Sequence, residues 1–233
     1  MLVFRREIRD YELRGFSEAR RRCANGRALG LKGALYLYLI DLMLAKGVSM
    51  KRPPIFTVGH STRSIDEFVE LLRAHGVKGI VDVRSIPRSR HNPQFNTDVL
   101  EHSLQQEHMS YKHIKELGGL RHARKDSLNL GWRNASFRGF ADYMATQEFS
   151  EGLEALAKIA NARETAIMCA EAVPWRCHRS LIADALTKKG WTVRDIMSRT
   201  VAARHRLTPF LKTIKGQLIY PEEPLRKSLI SQD

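Results

Sequence analysis

Five side chains that can do chemistry lie within eleven residues in the C-terminal third of the chain. They are Cys169, Glu171, Cys177, His178 and Arg179. The apolar run 166–168 directly before them is typical of a buried strand, and residues 180–188 follow as a helix. In an open α/β sheet, ligands bind where strands end and helices begin. The stretch therefore predicts a functional site at the C-terminal end of a central strand.

The first chemistry that this stretch indicates is nucleophilic catalysis by a thiolate. A cysteine at a helix N-terminus, close to basic side chains, has a lowered pKa. We therefore expect a low pKa at Cys177, with Cys169 or Cys177 as the nucleophile. His178 and Glu171 are the residues expected to move protons.

An earlier part of the chain predicts two more strand ends for the same site. Residues 55–58 and 77–83 read as strands, and the segment between them reads as a helix with a Ser-x-x-Glu capping box. Such a βαβ unit makes the two strands parallel. The residues at or after the ends of these strands that are predicted to bind a ligand are His60, Ser61, Asp82, Arg84, Ser85 and Arg88. Because guanidinium groups bind carboxylates and phosphates through paired hydrogen bonds, we expect Arg84 and Arg179 to hold a small anionic or nucleotide-like ligand.

A metal site is the second interpretation of the same residues. Cys169, Cys177 and His178, joined by His60 or Glu171, offer the ligand types that zinc prefers. The chain has no Cys-x-x-Cys pair, and Cys177 and His178 are adjacent, which is unusual for one ion. No cofactor is therefore predicted, and zinc is kept as the alternative.

The charge of the chain supports a third interpretation, a nucleic-acid-binding or regulatory module. The chain has 39 Lys and Arg against 25 Asp and Glu, a net charge of +14. Such an excess favours phosphate-bearing partners, although it also serves solubility. The residues that could line a basic groove are Arg84, Arg88, Arg90, Arg121, Arg124 and Lys125. The sequence contains no recognition-helix or RNA-binding motif beside these residues. It also does not indicate the oligomeric state.

The site residues also have a purely structural interpretation. Cysteine is often buried in protein cores. Cys169 and Cys177 would then be small core residues, and Glu171 would form an internal ion pair with Arg179. This interpretation explains less well why five reactive groups lie together.

The predicted domain organisation is one α/β domain with an addition at each end. Residues 1–49 are expected to be an extension outside the native domain, with translation starting at Met50, followed by the domain at 50–221 and a tail at 222–233. Three cysteines in 233 residues do not make a disulfide scaffold. The most apolar stretch, 33–45, is interrupted by Asp41 and is too short for a membrane span. We therefore expect a cytoplasmic protein that does not bind membranes.

Several short motifs together resemble the domain of unknown function 488 family (DUF488). They are Thr57-Val-Gly-His-Ser-Thr62, Asp82-Val-Arg-Ser85 with Pro87, Leu117-Gly-Gly119, Met168-Cys-Ala-Glu171 and Cys177-His-Arg179. The resemblance implies a three-layer, Rossmann-like α/β domain with a mostly parallel sheet, in a mostly bacterial family. It implies no settled activity, and it leaves residues 1–49 outside the matching region.

Overall fold

The structure, a computed structural model, describes residues 52–222. Its strands are β1 (Ile55–Gly59), β2 (Gly79–Asp82), β3 (Ser110–His113), β4 (Thr165–Cys169), β5 (Val193–Ile196), β6 (Ala202–Arg204), β7 (Lys212–Ile214) and β8 (Gln217–Ile219). Its helices are α1 (Ile65–Ala74), α2 (Thr97–Gln106), α3 (Ala135–Tyr143), α4 (Gln147–Ala162) and α5 (Arg179–Lys188). The extension predicted for residues 1–49 lies outside the described residues.

The central sheet has six strands in the order β3-β2-β4-β1-β5-β6. All neighbours are parallel except β5 and β6. Parallel strands need long crossover connections, and helices supply them here. The predicted mostly parallel sheet is confirmed, and β4, the strand that ends in Cys169, lies between β1 and β2.

Helices cover both faces of the sheet, which makes the predicted three-layer architecture. The core on one face joins the sheet to α1 and α2, through residues such as Phe68 and Leu100. The core on the other face joins it to α3, α4 and α5, through residues such as Phe140, Leu156 and Leu181. The three central strands β1, β2 and β4 are buried along their whole length, and most of their residues are apolar.

The helix α1 begins directly after the capping box that the sequence predicts. Ser64 caps the helix by accepting a hydrogen bond from the Glu67 backbone N–H, and the Glu67 carboxylate accepts one from the Ser64 N–H. This reciprocal capping box satisfies two backbone donors that the helix leaves unpaired. It fixes where the chain leaves the end of β1 and enters the helix.

The C-terminal part forms two antiparallel strand pairs. β6 pairs with β5 at one edge of the central sheet. β8 pairs with β7 in a separate two-stranded hairpin. Lys215 and Gly216, which join these strands, both have positive φ, as in the tight turns that favour two-stranded hairpins.

A buried polar cluster, which the sequence analysis did not single out, fastens the C-terminal segment to the domain. His205 lies between two carboxylates, with its Nδ1 3.0 Å from Asp195 Oδ2 and its Nε2 3.0 Å from Asp184 Oδ1. Thr57 donates to Asp195, and the hydroxyls of Thr208 and Tyr220 donate to Asp184. The cluster therefore links β1, β5 and α5 to the segment after β6.

The helices within residues 52–222 do not combine the length and the hydrophobicity that a membrane-spanning helix needs.

Candidate functional site

The three predicted strand ends meet at one edge of the sheet. Gly59, the last residue of β1, pairs with Cys169 at the end of β4. Asp82, the last residue of β2, pairs with Met168. The residues that follow these strands therefore lie side by side at the carboxyl edge, where open α/β sheets bind ligands.

A buried ion pair forms the base of the site after β2. Arg84 donates from Nε and Nη2 to the Asp82 carboxylate, at 2.6–3.1 Å, and from Nη2 to the carbonyl oxygen of Phe95. Asp82 is completely buried, and Arg84 is 6% exposed. Burial alone would lower the pKa of Arg84, but the hydrogen bonds and the charge of Asp82 raise it. Arg84 is therefore a fixed cation at the strand ends.

His60 is a neutral histidine held against this ion pair. Its Nδ1 lies 2.7 Å from the carbonyl oxygen of Ser61, and since a carbonyl only accepts, Nδ1 carries the proton. Nε2 is then an acceptor and faces Arg84 Nη1 at 3.4 Å. Burial and the charge of Arg84 lower the pKa of His60, although the bond to Ser61 opposes this. Ser61 has a φ of 53°, a left-handed conformation that is costly outside glycine and is often found at functional sites.

The two buried cysteines shift each other's pKa in opposite directions. The neighbouring Cys177 thiol and His178, together with the Glu171 backbone, lower the pKa of Cys169 well below its ordinary value, against the effect of burial. The interaction with Cys169 and burial raise the pKa of Cys177. The predicted low pKa at Cys177 is therefore wrong. The helix N-terminus is present, but the neighbouring thiolate outweighs it.

His178 directs one ring nitrogen to the thiols. Its Nε2 donates to the carbonyl oxygen of Val83, at 2.9 Å, which leaves Nδ1 3.7 Å from Cys177 Sγ. Phe140 packs against the ring edge to face. On the other side, a Cβ added to Gly119 would lie only 2.4 Å from His178 Nδ1, so only glycine fits here. His178 can therefore take or give a proton at the sulfur atoms.

Arg179 has a different position from the one expected. Its side chain is completely buried, and its guanidinium donates to the backbone carbonyls of Glu171 and Ala172. A Cβ on Gly59 would lie 1.8 Å from the same Glu171 carbonyl, so the loop packs directly on the end of β1. Arg179 thus holds the loop that follows Cys169. The predicted anion contact at Arg179 is revised to this positioning role, and the ion pair considered between Glu171 and Arg179 is absent from residues 52–222.

The remaining predicted residues lie at the rim of the site. Ser85 Oγ accepts a hydrogen bond from the Leu120 backbone N–H, which joins the loop after β2 to the Gly118-Gly119 turn. The side chains of Arg88 and Glu171 are exposed. Neither makes a hydrogen bond within residues 52–222, so both are available to a ligand.

Three of the predicted site residues could hold a metal ion. The ligand atoms of Cys169, Cys177 and His178 all lie within 4.8 Å of one another. His60 and Glu171, which were considered as fourth ligands, are not in this group. A tautomer fixed by a hydrogen bond to a backbone carbonyl, as in His178, is typical of metal-binding histidines.

The predicted basic groove is partly used inside the protein. Arg84 pairs with Asp82, Arg124 pairs with the exposed Asp126, and Arg121 packs over the ring of Tyr143. Arg88, Arg90 and Lys125 are exposed. A nucleic-acid partner remains a prediction.

The sequence analysis missed side chains that support the site from behind. Tyr111 donates to Asp82 Oδ2 at 2.8 Å, and burial and the charge of Asp82 raise the pKa of Tyr111. His113 donates to the carbonyl oxygen of Arg84, and Phe95 stacks on His60 at 4.1 Å. The available signal was that β3 follows β2 in a second βαβ unit, so residues at its end belong to the same edge.

A comparison with protein families identifies the family of the chain. The family model described as "Domain of unknown function DUF488" matches residues 64–186, more than half of the chain. The chain belongs to this family. The match includes Asp82, Arg84 and the Cys169–Arg179 stretch, whereas His60 precedes it. No curated protein and no solved structure matches the chain.

Proposed function

We propose that the protein is a thiol-dependent enzyme, a hydrolase or transferase, in which Cys169 attacks an electrophilic centre of a small anionic ligand. The observation that carries this proposal is the grouping of Cys169 with Cys177 and His178, whose sulfur and ring-nitrogen atoms lie within 4.8 Å of one another. The influence of these neighbours lowers the pKa of Cys169 well below its ordinary value. A thiolate is a far better nucleophile than a thiol, and a lowered pKa favours the thiolate.

Proton transfer is assigned to His178. Its Nε2–H is fixed by Val83, so Nδ1 is the nitrogen that exchanges a proton near the sulfur atoms. In the proposed reaction the Cys169 sulfur forms a bond to the electrophilic atom, and the bond to the leaving group breaks. His178 Nδ1, which has taken the proton released when Cys169 ionises, gives that proton to the leaving group, and water or a second substrate then releases the product from sulfur.

Anion binding is assigned to Arg84, supported at the rim by Arg88. Nε and Nη2 of Arg84 are occupied by Asp82 and Phe95, but Nη1 faces only His60 at 3.4 Å. Nη1 therefore retains donor capacity towards the strand ends. Because the guanidinium is already fixed and largely desolvated, its bond to an anion costs little reorganisation.

Alkylation of the full-length protein by iodoacetamide tests the nucleophile. We expect Cys169 to react at neutral pH at least about tenfold faster than the thiol of free glutathione, because more of it is thiolate. Trypsin separates the residues for mass spectrometry, with Cys169 in peptide 164–176 and Cys177 in peptide 177–179.

Two substitutions at Cys177 form a matched pair for this test. Cys177→Ser keeps a hydroxyl donor to Cys169 and should retain fast labelling, whereas Cys177→Ala removes the donor and should slow it. Labelling of Cys169 no faster than that of glutathione, or an equal effect of both substitutions, would contradict the proposal.

A zinc centre is the second candidate function, and the grouping of Cys169, Cys177 and His178 within 4.8 Å favours it. Three ligands of this kind leave a fourth zinc position open for water or substrate. Elemental analysis of protein purified without chelators decides between the candidates. About one zinc per chain, lost in His178→Ala, would establish the metal centre. Metal-free protein with fast Cys169 alkylation would exclude it.

A further inference from the structure

We propose that Cys169 and Cys177 form a reversible disulfide when a hydroperoxide oxidises Cys169, and that this disulfide switches the site off. The inference rests on the proposed function in so far as both require a reactive Cys169. It goes further, because it assigns Cys177 a role of its own as the thiol that resolves the oxidised nucleophile.

The positions of the two thiols carry the inference. Their sulfur atoms lie within 4.8 Å of each other. They are the cysteines found among the described residues, and both are free. Because Arg179 holds the backbone of residues 171 and 172, the approach of the sulfur atoms to a bonding distance of about 2 Å is assigned to rotation of the two cysteine side chains.

Solvent exposure and the position of His178 favour different roles for Cys169 and Cys177. Cys169 is 8% exposed and Cys177 is 3% exposed, so a small peroxide reaches Cys169 more easily. Cys177 in turn has a proton acceptor, His178 Nδ1, 3.7 Å from its sulfur. Cys169 is therefore assigned as the sulfur that is oxidised first, and Cys177 as the sulfur that attacks it.

The chemistry balances with the hydroperoxide as the only oxidant. The Cys169 thiolate attacks one oxygen of hydrogen peroxide and the O–O bond breaks, which gives sulfenic acid and hydroxide. The hydroxide takes from His178 Nδ1 the proton that Cys169 lost on ionisation and leaves as water. Cys177 then gives its proton to His178 and attacks the Cys169 sulfur. The S–O bond breaks, and the hydroxide takes the proton from His178 and leaves as a second water. Two thiols and one peroxide thus give one disulfide and two waters.

The disulfide removes the nucleophile, and a cellular dithiol can restore it. In a reducing compartment, disulfides of this kind are transient and regulatory. The cross-link also protects Cys169 from further oxidation to sulfinic acid, which is generally irreversible.

Peptide mapping after peroxide treatment tests the inference. The full-length protein is treated with hydrogen peroxide, blocked with N-ethylmaleimide and digested with trypsin. We expect peptide 164–176 joined to peptide 177–179, with the loss of two hydrogens, and at least about a tenfold loss of Cys169 alkylation that dithiothreitol restores.

The Cys177→Ser variant is the control for the resolving thiol. It should give no cross-link, and its Cys169 should proceed to sulfinic acid that dithiothreitol does not reverse. Sulfinic acid at Cys169 in the unmodified protein without a cross-link, or a cross-link to peptide 23–27, would overturn the inference. Fast alkylation of Cys169 in untreated protein would still support the proposed function in that case.

Discussion

Asp82→Asn should destabilise the protein by about 3–5 kcal/mol, the usual cost of removing one partner of a buried ion pair. The carboxylate of Asp82 accepts three hydrogen bonds from the Arg84 guanidinium, one from the Arg84 backbone and one from Tyr111. An amide keeps the shape of the side chain but loses the charge, so the buried guanidinium of Arg84 is left uncompensated. The midpoint of urea unfolding measures the change.

The pair between Arg124 and Asp126 provides a matched control for this prediction. It has the same residue types and a similar distance, 2.8 Å, but its side chains are 65% and 70% exposed. Solvent screens such pairs, and Asp126→Asn should leave the unfolding midpoint almost unchanged. Equal effects of the two substitutions would show that the ion pair at the strand ends is not buried as described.

The second large effect concerns pH and the cluster around His205. Burial alone would lower the pKa of His205, but hydrogen bonds with Asp184 and Asp195 raise it to about 9. The folded protein therefore binds this proton more tightly than the unfolded chain, whose histidine has the ordinary value near 6.5. The resulting stability is fully present below about pH 6.5 and is lost as the pH rises through about 9.

Unfolding curves measured between pH 6 and pH 10 test this prediction. We expect the wild-type free energy of unfolding to fall by roughly 2 kcal/mol relative to His205→Gln over this range, after allowing for solvent screening. His102, which is exposed on α2, supplies the control, since His102→Gln should preserve the pH dependence of the wild type. A difference between wild type and His205→Gln that does not change with pH would contradict the account.

Much of the fold could be predicted because it depends on patterns among residues that are neighbours in the sequence. The capping box at Ser64, the apolar runs of β1 and β4 and the alternation of strands with helices each depend on neighbouring residues. Parallel strands then bring their ends to one edge of the sheet, so the sequence alone groups His60, Asp82 and Cys169. The place of the site follows from topology alone.

The roles within the site could not be predicted in the same way. Which of Cys169 and Cys177 has the lowered pKa depends on neighbours that only the folded chain brings together. Arg179 reads as an anion ligand in sequence, but its guanidinium is used by two backbone carbonyls. The cluster of His205 joins β1, α5 and β5 to a segment far along the chain, and no periodic pattern marks such contacts.

Buried contacts hold the main functional groups of the site in fixed positions. The buried ion pair between Asp82 and Arg84 fixes a cation, and His60 remains neutral beside it. Arg179 holds the loop that follows Cys169, by donating to the carbonyl oxygen of Glu171. The Cys169 sulfur and the fixed guanidinium of Arg84 are thus placed by buried contacts, as preorganised sites require.

The pH dependence of Cys169 alkylation shows whether Cys169 is a thiolate at neutral pH. The rate of iodoacetamide labelling of peptide 164–176 would be measured in the full-length protein from pH 4 to pH 10. We expect a rate that has already reached its plateau at neutral pH, with an apparent pKa well below the ordinary value of about 8.5 for cysteine, and a shift to higher pH in Cys177→Ala. A rate that still rises through pH 8–9 in the wild type would show that Cys169 is an ordinary buried thiol and would exclude it as the nucleophile.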